Sequence, residues 1–119
     1  MKFDDYLKAS EEQLELIEEL QEIIKALEDS PADELTANRV IEILKRLGEL
    51  REELKDIEKG EGEDFELLKR FYNMVGIHDE RELLEELLKM ILKGRIDVPQ
   101  EIVLEQLKHN KEFEKTLRE

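Results

Sequence analysis

The sequence predicts an all-α fold: a single-domain bundle of five main helices, six if the tail forms its own, in which the first two long helices make a long antiparallel hairpin. Three observations carry this. Apolar residues recur at steps of three and four over most of the chain, helix-capping residues precede several of those stripes, and no stretch alternates apolar and polar residues as a half-buried strand would.

The elements follow in order. Phe3, Tyr6 and Leu7 lead into Ser10-Glu11-Glu12-Gln13, a capping-box pattern that starts a helix or re-caps a continuing one. Leu14, Ile17, Leu20, Ile24 and Leu27 then define an apolar stripe that ends near Asp29. Ser30 before Pro31 reads as a cap before a proline at the first helical position, so the second helix is expected there or shortly after, around Thr36. Its Val40, Ile43, Leu47, Leu50, Leu54 and Ile57 alternate steps of three and four as a coiled-coil seam does, with Ile41 and Leu44 widening the start.

Gly60-Glu61-Gly62-Glu63 reads as an acidic turn. A short central helix with Phe65, Leu67, Leu68, Phe71, Tyr72, Met74 and Val75 comes next, and Gly76 is expected to close it. Those side chains cover half the helical wheel, which suits a core helix; at the bundle's edge, Phe71, Tyr72 and Met74 would form an apolar contact patch. Asp79-Glu80-Arg81-Glu82 is a second capping-box pattern, opening a helix through Leu83, Leu84, Leu87, Leu88 and Ile91 that Lys93-Gly94 stops. Asp97-Val98-Pro99-Gln100 caps the last helix, whose core face begins with Val103 and Leu107. Phe113 and Leu117 fall out of phase with that face, so a break or kink is expected at His109-Asn110, followed by a short terminal helix that docks Phe113 and Leu117.

Composition then excludes classes of function. With 119 residues the chain fits one domain, and about two-thirds of its surface can be buried on folding. The net charge of -14 repels nucleic acid and anionic membranes. Without Cys there is no disulfide, thiolate nucleophile or thiolate metal site. The start, Met1-Lys2-Phe3-Asp4-Asp5, lacks the apolar region of a secretion signal, and no apolar run is long enough to span a membrane; a cytoplasmic address is expected.

The sequence carries no recognisable catalytic or metal-binding motif. The residues three before His78 and His109 are Val75 and Gln106, not the Glu of a carboxylate-bridged di-metal bundle. Two unpaired His exclude the usual zinc patterns. Counting a calcium loop from Asp56 puts Glu61 where glycine is required and Leu67 where the bidentate acid belongs. His78 with Glu82 and His109 with Glu105 read as helix-end pairs, and no Ser or Thr nucleophile with a nearby base stands out. The expectation is a non-enzymatic protein without metal or cofactor.

One anomaly points to a partner. On the first helix Glu11, Glu15, Glu18, Glu19 and Glu22 share the solvent face, with no basic residue between Lys8 and Lys25. Like charges at i,i+4 cost about 0.2 to 0.5 kcal/mol per pair in an isolated helix. Residues 3 to 29 hold ten acids against two bases, a net of -8. Such a ridge suits a basic protein surface, as an interaction module, an inhibitor or a nucleic-acid mimic would use it; it also serves solubility, or is neutralised by cations of the adjacent helix.

With Ser10, Ser30, Asp79 and Asp97 at cap positions, Gly at helix ends, Leu/Ile/Val stripes, Glu/Lys surfaces and neither Cys nor Trp, the whole chain resembles computationally designed helical bundles and matches no natural family. The resemblance implies a stable monomeric scaffold without an intrinsic ligand.

Overall fold

A computed structural model of the chain describes the backbone of residues 2–56 and 63–118, and within these the side chains of all but residues 2, 3, 55, 56, 63–69, 71, 72 and 118. The expectations for Phe3, Ile57, Phe65, Leu67, Leu68, Phe71 and Tyr72 as core or contact residues, and for the turn at residues 60–62, lie outside the described residues. The described residues form four helices: α1 (Lys2–Ala26), α2 (Glu34–Asp56), α3 (Glu63–Leu92) and α4 (Gln100–Arg118). No strand occurs among the described residues, and no described helix is long and apolar enough to cross a membrane.

The count of five or six helices is therefore corrected to four. α3 runs uninterrupted through Gly76 and through Asp79-Glu80-Arg81-Glu82, so that capping-box pattern caps nothing. The reason lies in Asn73 and Glu80, both buried. Counted as core, Asn73, Ile77, Glu80, Leu84, Leu87 and Ile91 step by four and three in alternation, one seam on one continuous helix. α4 likewise passes through His109-Asn110 without a break. Asn110 is fully buried and bridges the phase gap, since Val103, Asn110 and Leu117 lie seven apart.

The termini show which local signals operate. Asp33, rather than Ser30, caps α2: its Oδ1 accepts from the Thr36 N–H at 2.8 Å, and that bond lowers the Asp33 pKa. Gly94, at φ 75°, ends α3 in a Schellman motif: its own N–H bonds to the Ile91 carbonyl at 3.0 Å and the Arg95 N–H to the Met90 carbonyl at 2.9 Å. Arg95 then reaches across to α1, Nε donating to the Leu27 carbonyl at 2.8 Å, while the Ala32 N–H donates to the Arg95 carbonyl at 2.8 Å. The α1–α2 and α3–α4 connections are thus tied together, with a cation on the carbonyl end of α1.

Packing follows from cross-helix pairs. Glu12 meets Arg46 and Glu19 meets Arg39, so α1 and α2 form the antiparallel hairpin the sequence predicts. Tyr6 meets Asn73 and Gln13 meets Gly76, so α1 and α3 run parallel. Arg81 meets Asn110 and His78 meets Glu114, so α3 and α4 run antiparallel. α2 packs on α4, leaving α2 and α3 on one diagonal of the bundle and α1 and α4 on the other. The up-down-up-down path therefore crosses the bundle between α2 and α3.

The α2 seam is buried as expected: Val40, Ile43, Leu47, Leu50 and Leu54 are each at most 1% exposed. Side chains that fully buried contribute about 1.5 to 3 kcal/mol each. Ile17, Leu20, Ile24 and Leu27 join them from α1, but Leu14 does not; it is 55% exposed, and Gln13 and Leu16 take the inward positions beside it.

A buried polar layer and the outer faces of α1

Among the leucines lies a layer of polar side chains, with at least one from every helix. Gln13, Arg51, Asn73, Glu80 and Asn110 are all buried. Each occupies a position where the heptad spacing of its helix calls for an apolar residue: Tyr6, Gln13, Leu20 and Leu27 are seven apart on α1, as are Ala37, Leu44 and Arg51 on α2.

Arg51 and Glu80 form an ion pair across the α2–α3 diagonal, with Arg51 Nη2 donating to Glu80 Oε1. The same Nη2 donates to Gln106 Oε1 of α4 at 3.1 Å. Asn110 accepts from Arg81 Nε at 3.0 Å and donates through Nδ2 to the Ile77 carbonyl at 3.0 Å. Burial pushes the Glu80 carboxyl up, against the pull of the Arg51 guanidinium and the Asn110 and Gln13 amides. Glu80 Oε2 and Arg51 Nε lack a hydrogen-bond partner among the described residues, so the layer is incompletely satisfied. Nothing in the sequence motifs predicts this interior polar site; its signal is at least one polar residue standing in phase with each apolar seam.

On the outside, the five glutamates of the ridge separate into two groups. At 100° per residue Glu11, Glu15, Glu18 and Glu22 fall within about 60° of one another, opposite the core, and all four are exposed. Glu19 lies on the flank toward α2, where Arg39 Nε and Nη2 clasp it at 2.6 and 2.7 Å. Glu12, seven residues earlier on the same flank, is held by Arg46 in the same forked way at 2.5 and 2.8 Å. These hydrogen bonds lower the pKa of both carboxyls and raise those of both guanidiniums. The other four ridge carboxylates have no ion pair among the described residues.

The second flank of α1 is apolar and faces α3. Leu7, Leu14 and Val75 are all exposed there, along a half-open cleft of about 420 Å³ between the two helices. Tyr6 and Ile17 line it from below, Glu11 and Asp79 stand on its opposite walls, and Asn73 contributes a buried Nδ2 with no hydrogen-bond acceptor among the described residues. Of the other predicted apolar contacts, Met74 is half-buried.

The histidines do not pair as their sequence neighbours suggest. His78 Nε2 is 3.8 Å from Glu114 of α4, a carboxylate that Arg81 Nη2 also approaches at 3.0 Å, and His109 is exposed. No group of three or more His, Asp or Glu side chains capable of holding a metal ion occurs among the described residues. No family model, curated protein or solved structure matches this chain.

Proposed function

We propose that the chain is a non-enzymatic helical scaffold without an intrinsic small-molecule ligand or cofactor, whose buried polar groups fix one arrangement of four helices. The observation supporting this is the closure of the Arg51–Glu80 pair. Its side chains are 3% and 1% exposed, and neither residue lines the cleft between α1 and α3. A carboxyl without solvent or substrate access has no proton to exchange with a reactant, whereas a paired charge joining the two diagonal helices disfavours any register that leaves it unpaired. The likeness to designed bundles agrees with this reading, through the Asp33 cap and the Gly94 stop. Native mass spectrometry of the protein purified from expressing cells tests it. The expected species is the bare monomer; a stoichiometric co-purifying molecule overturns the proposal.

A second reading is favoured by a separate observation, the four ridge carboxylates that α2 leaves without cations. On this reading α1 is an acidic interaction surface for a basic protein, with nucleic acid and anionic membranes repelled by the same charge. Binding of poly-lysine at low salt, released at high salt and abolished by charge reversal at Glu15 and Glu18, is the expected result. Binding unchanged by those reversals overturns it.

A further inference from the structure

We infer that the cleft between α1 and α3 docks a basic amphipathic helix of another protein, its apolar side chains on Leu7, Leu14 and Val75 and its lysines or arginines on Glu11 and Asp79. The inference deepens, and rests on, the reading of α1 as an acidic interaction surface.

Three features of the cleft select that occupant. Leu7 and Leu14 are two turns apart on α1, about 10.5 Å along its axis, which is the interval at which an incoming helix repeats its own apolar face. Val75 supplies the opposing apolar wall from α3. Carboxylates stand on both walls, and Glu15, Glu18 and Glu22 extend the negative field along α1, so the flanks of the occupant must be cationic. Asn73, itself 4% exposed, lines the cleft, and its buried Nδ2 has no acceptor among the described residues, which leaves a polar group unsatisfied at an otherwise apolar seam.

A second copy of this chain fits less well. Residues 3 to 29 carry -8 and each chain -14, so two α1 faces repel. Lys108, Lys111 and Lys115 of α4 gather beside Arg81, but Glu112 and Glu114 are interleaved with them.

Fluorescence anisotropy on the intact chain separates the possibilities with three labelled probes: a helical Leu/Lys peptide with its leucines on one face, a scrambled peptide of the same composition, and poly-lysine. The amphipathic peptide is expected to bind about tenfold more tightly than the scrambled one. Leu14→Ser and Val75→Ser should each weaken only the amphipathic peptide, by about tenfold, and because both side chains are already exposed the helical circular dichroism should stay unchanged. Equal binding of all three probes, unaffected by these substitutions, overturns the docking inference and leaves the acidic-surface reading standing. Binding of none overturns both. A dimer in sedimentation equilibrium that Leu14→Ser dissociates also overturns the inference, because the occupant is then a second copy.

Discussion

Arg51 of α2 and Glu80 of α3 join two helices that stand diagonally across the bundle, and they do so with both side chains closed from water. Two charges taken out of water regain by mutual attraction about what burial costs, so the pair's net contribution to stability is small while its disruption is expensive. Glu80→Ala should therefore destabilise by about 3 to 5 kcal/mol, because it leaves a buried guanidinium with only the Gln106 oxygen. The double replacement Arg51→Met with Glu80→Leu should be neutral or stabilising. Urea unfolding of the three proteins checks both. A double variant as unstable as the single one would mean that the pair itself, rather than the avoidance of a lone charge, holds the helices.

The same pair sets a pH dependence of opposite sign to that of the surface pairs. Glu80 titrates above its ordinary value of 4.5 in the folded chain, because burial disfavours the carboxylate. Between 4.5 and the raised value the native state holds a proton that the unfolded chain has released, so the Glu80 contribution is complete below 4.5 and is lost as the pH climbs through the folded value. Glu12 and Glu19 titrate below 4.5, held down by Arg46 and Arg39; their contribution is present above 4.5 and is lost as the pH falls through their folded values. Repulsion from the net charge of -14 acts on wild type and Glu80→Gln nearly alike. Relative to Glu80→Gln, wild type should then lose stability as the pH rises from about 4.5 toward neutrality, as followed by urea unfolding at several pH values. Parallel curves would mean that Glu80 is ionised in the fold as readily as in water.

Three glycines should respond differently to alanine. At Gly94, with φ 75°, an added Cβ meets nothing within 4 Å, so Gly94→Ala isolates the cost of a left-handed backbone. That cost is about 1 kcal/mol. At Gly76 the nearest atom to an added Cβ is Gln13 Oε1 at 3.3 Å; Gln13 is buried and its amide bears on Glu80, so the helix-propensity gain of about 0.5 kcal/mol should be realised only in part. At Gly48 the contact is Gln106 Oε1 at 3.1 Å, and that oxygen is already engaged by Arg51. Gly48→Ala should accordingly fall below Gly76→Ala in thermal unfolding.

These same residues mark where the fold was legible in the sequence. The apolar seam of α2 is legible because Val40, Ile43, Leu47, Leu50 and Leu54 hold an unbroken three-and-four spacing, whereas the buried Arg51 beside it is not, since a charged residue there reads as solvent-facing. On α3, Gly76 and the Asp79 capping pattern are genuine local stop and start signals that predict two helices, and tertiary packing overrides them through Asn73 and Glu80. Asn110 likewise suggests an interruption where α4 is continuous. Polar residues at seam positions hide the seam, since a pattern search treats them as its end. On α1 the acidic ridge itself was visible at 100° per residue, but which of its members meet Arg39 or Arg46 depends on the side α2 occupies, and no property of α1 alone encodes that.

The four ridge carboxylates without cations give the last prediction. Glu11 and Glu15, and Glu18 and Glu22, are i,i+4 pairs of like charge on an exposed face, and Glu15 also repels Glu18 at i,i+3. Replacing Glu15 and Glu22 by Lys turns both i,i+4 pairs from repulsion to attraction, with each acid on the N-terminal side of its base, the favourable order. The double variant should be more stable by about 0.5 to 1.5 kcal/mol at low salt. Added salt screens repulsion in the wild type and attraction in the variant, so the difference should shrink as ionic strength rises. Thermal unfolding of both proteins across a salt series measures it. If Glu15→Lys with Glu22→Lys is stabilised yet loses poly-lysine binding, the repulsion along α1 is a cost in stability tied to recognition; if it is stabilised and nothing is lost, the ridge serves solubility alone. A variant no more stable than wild type would mean that the carboxylates are already screened by their exposure, and that the ridge costs the fold nothing.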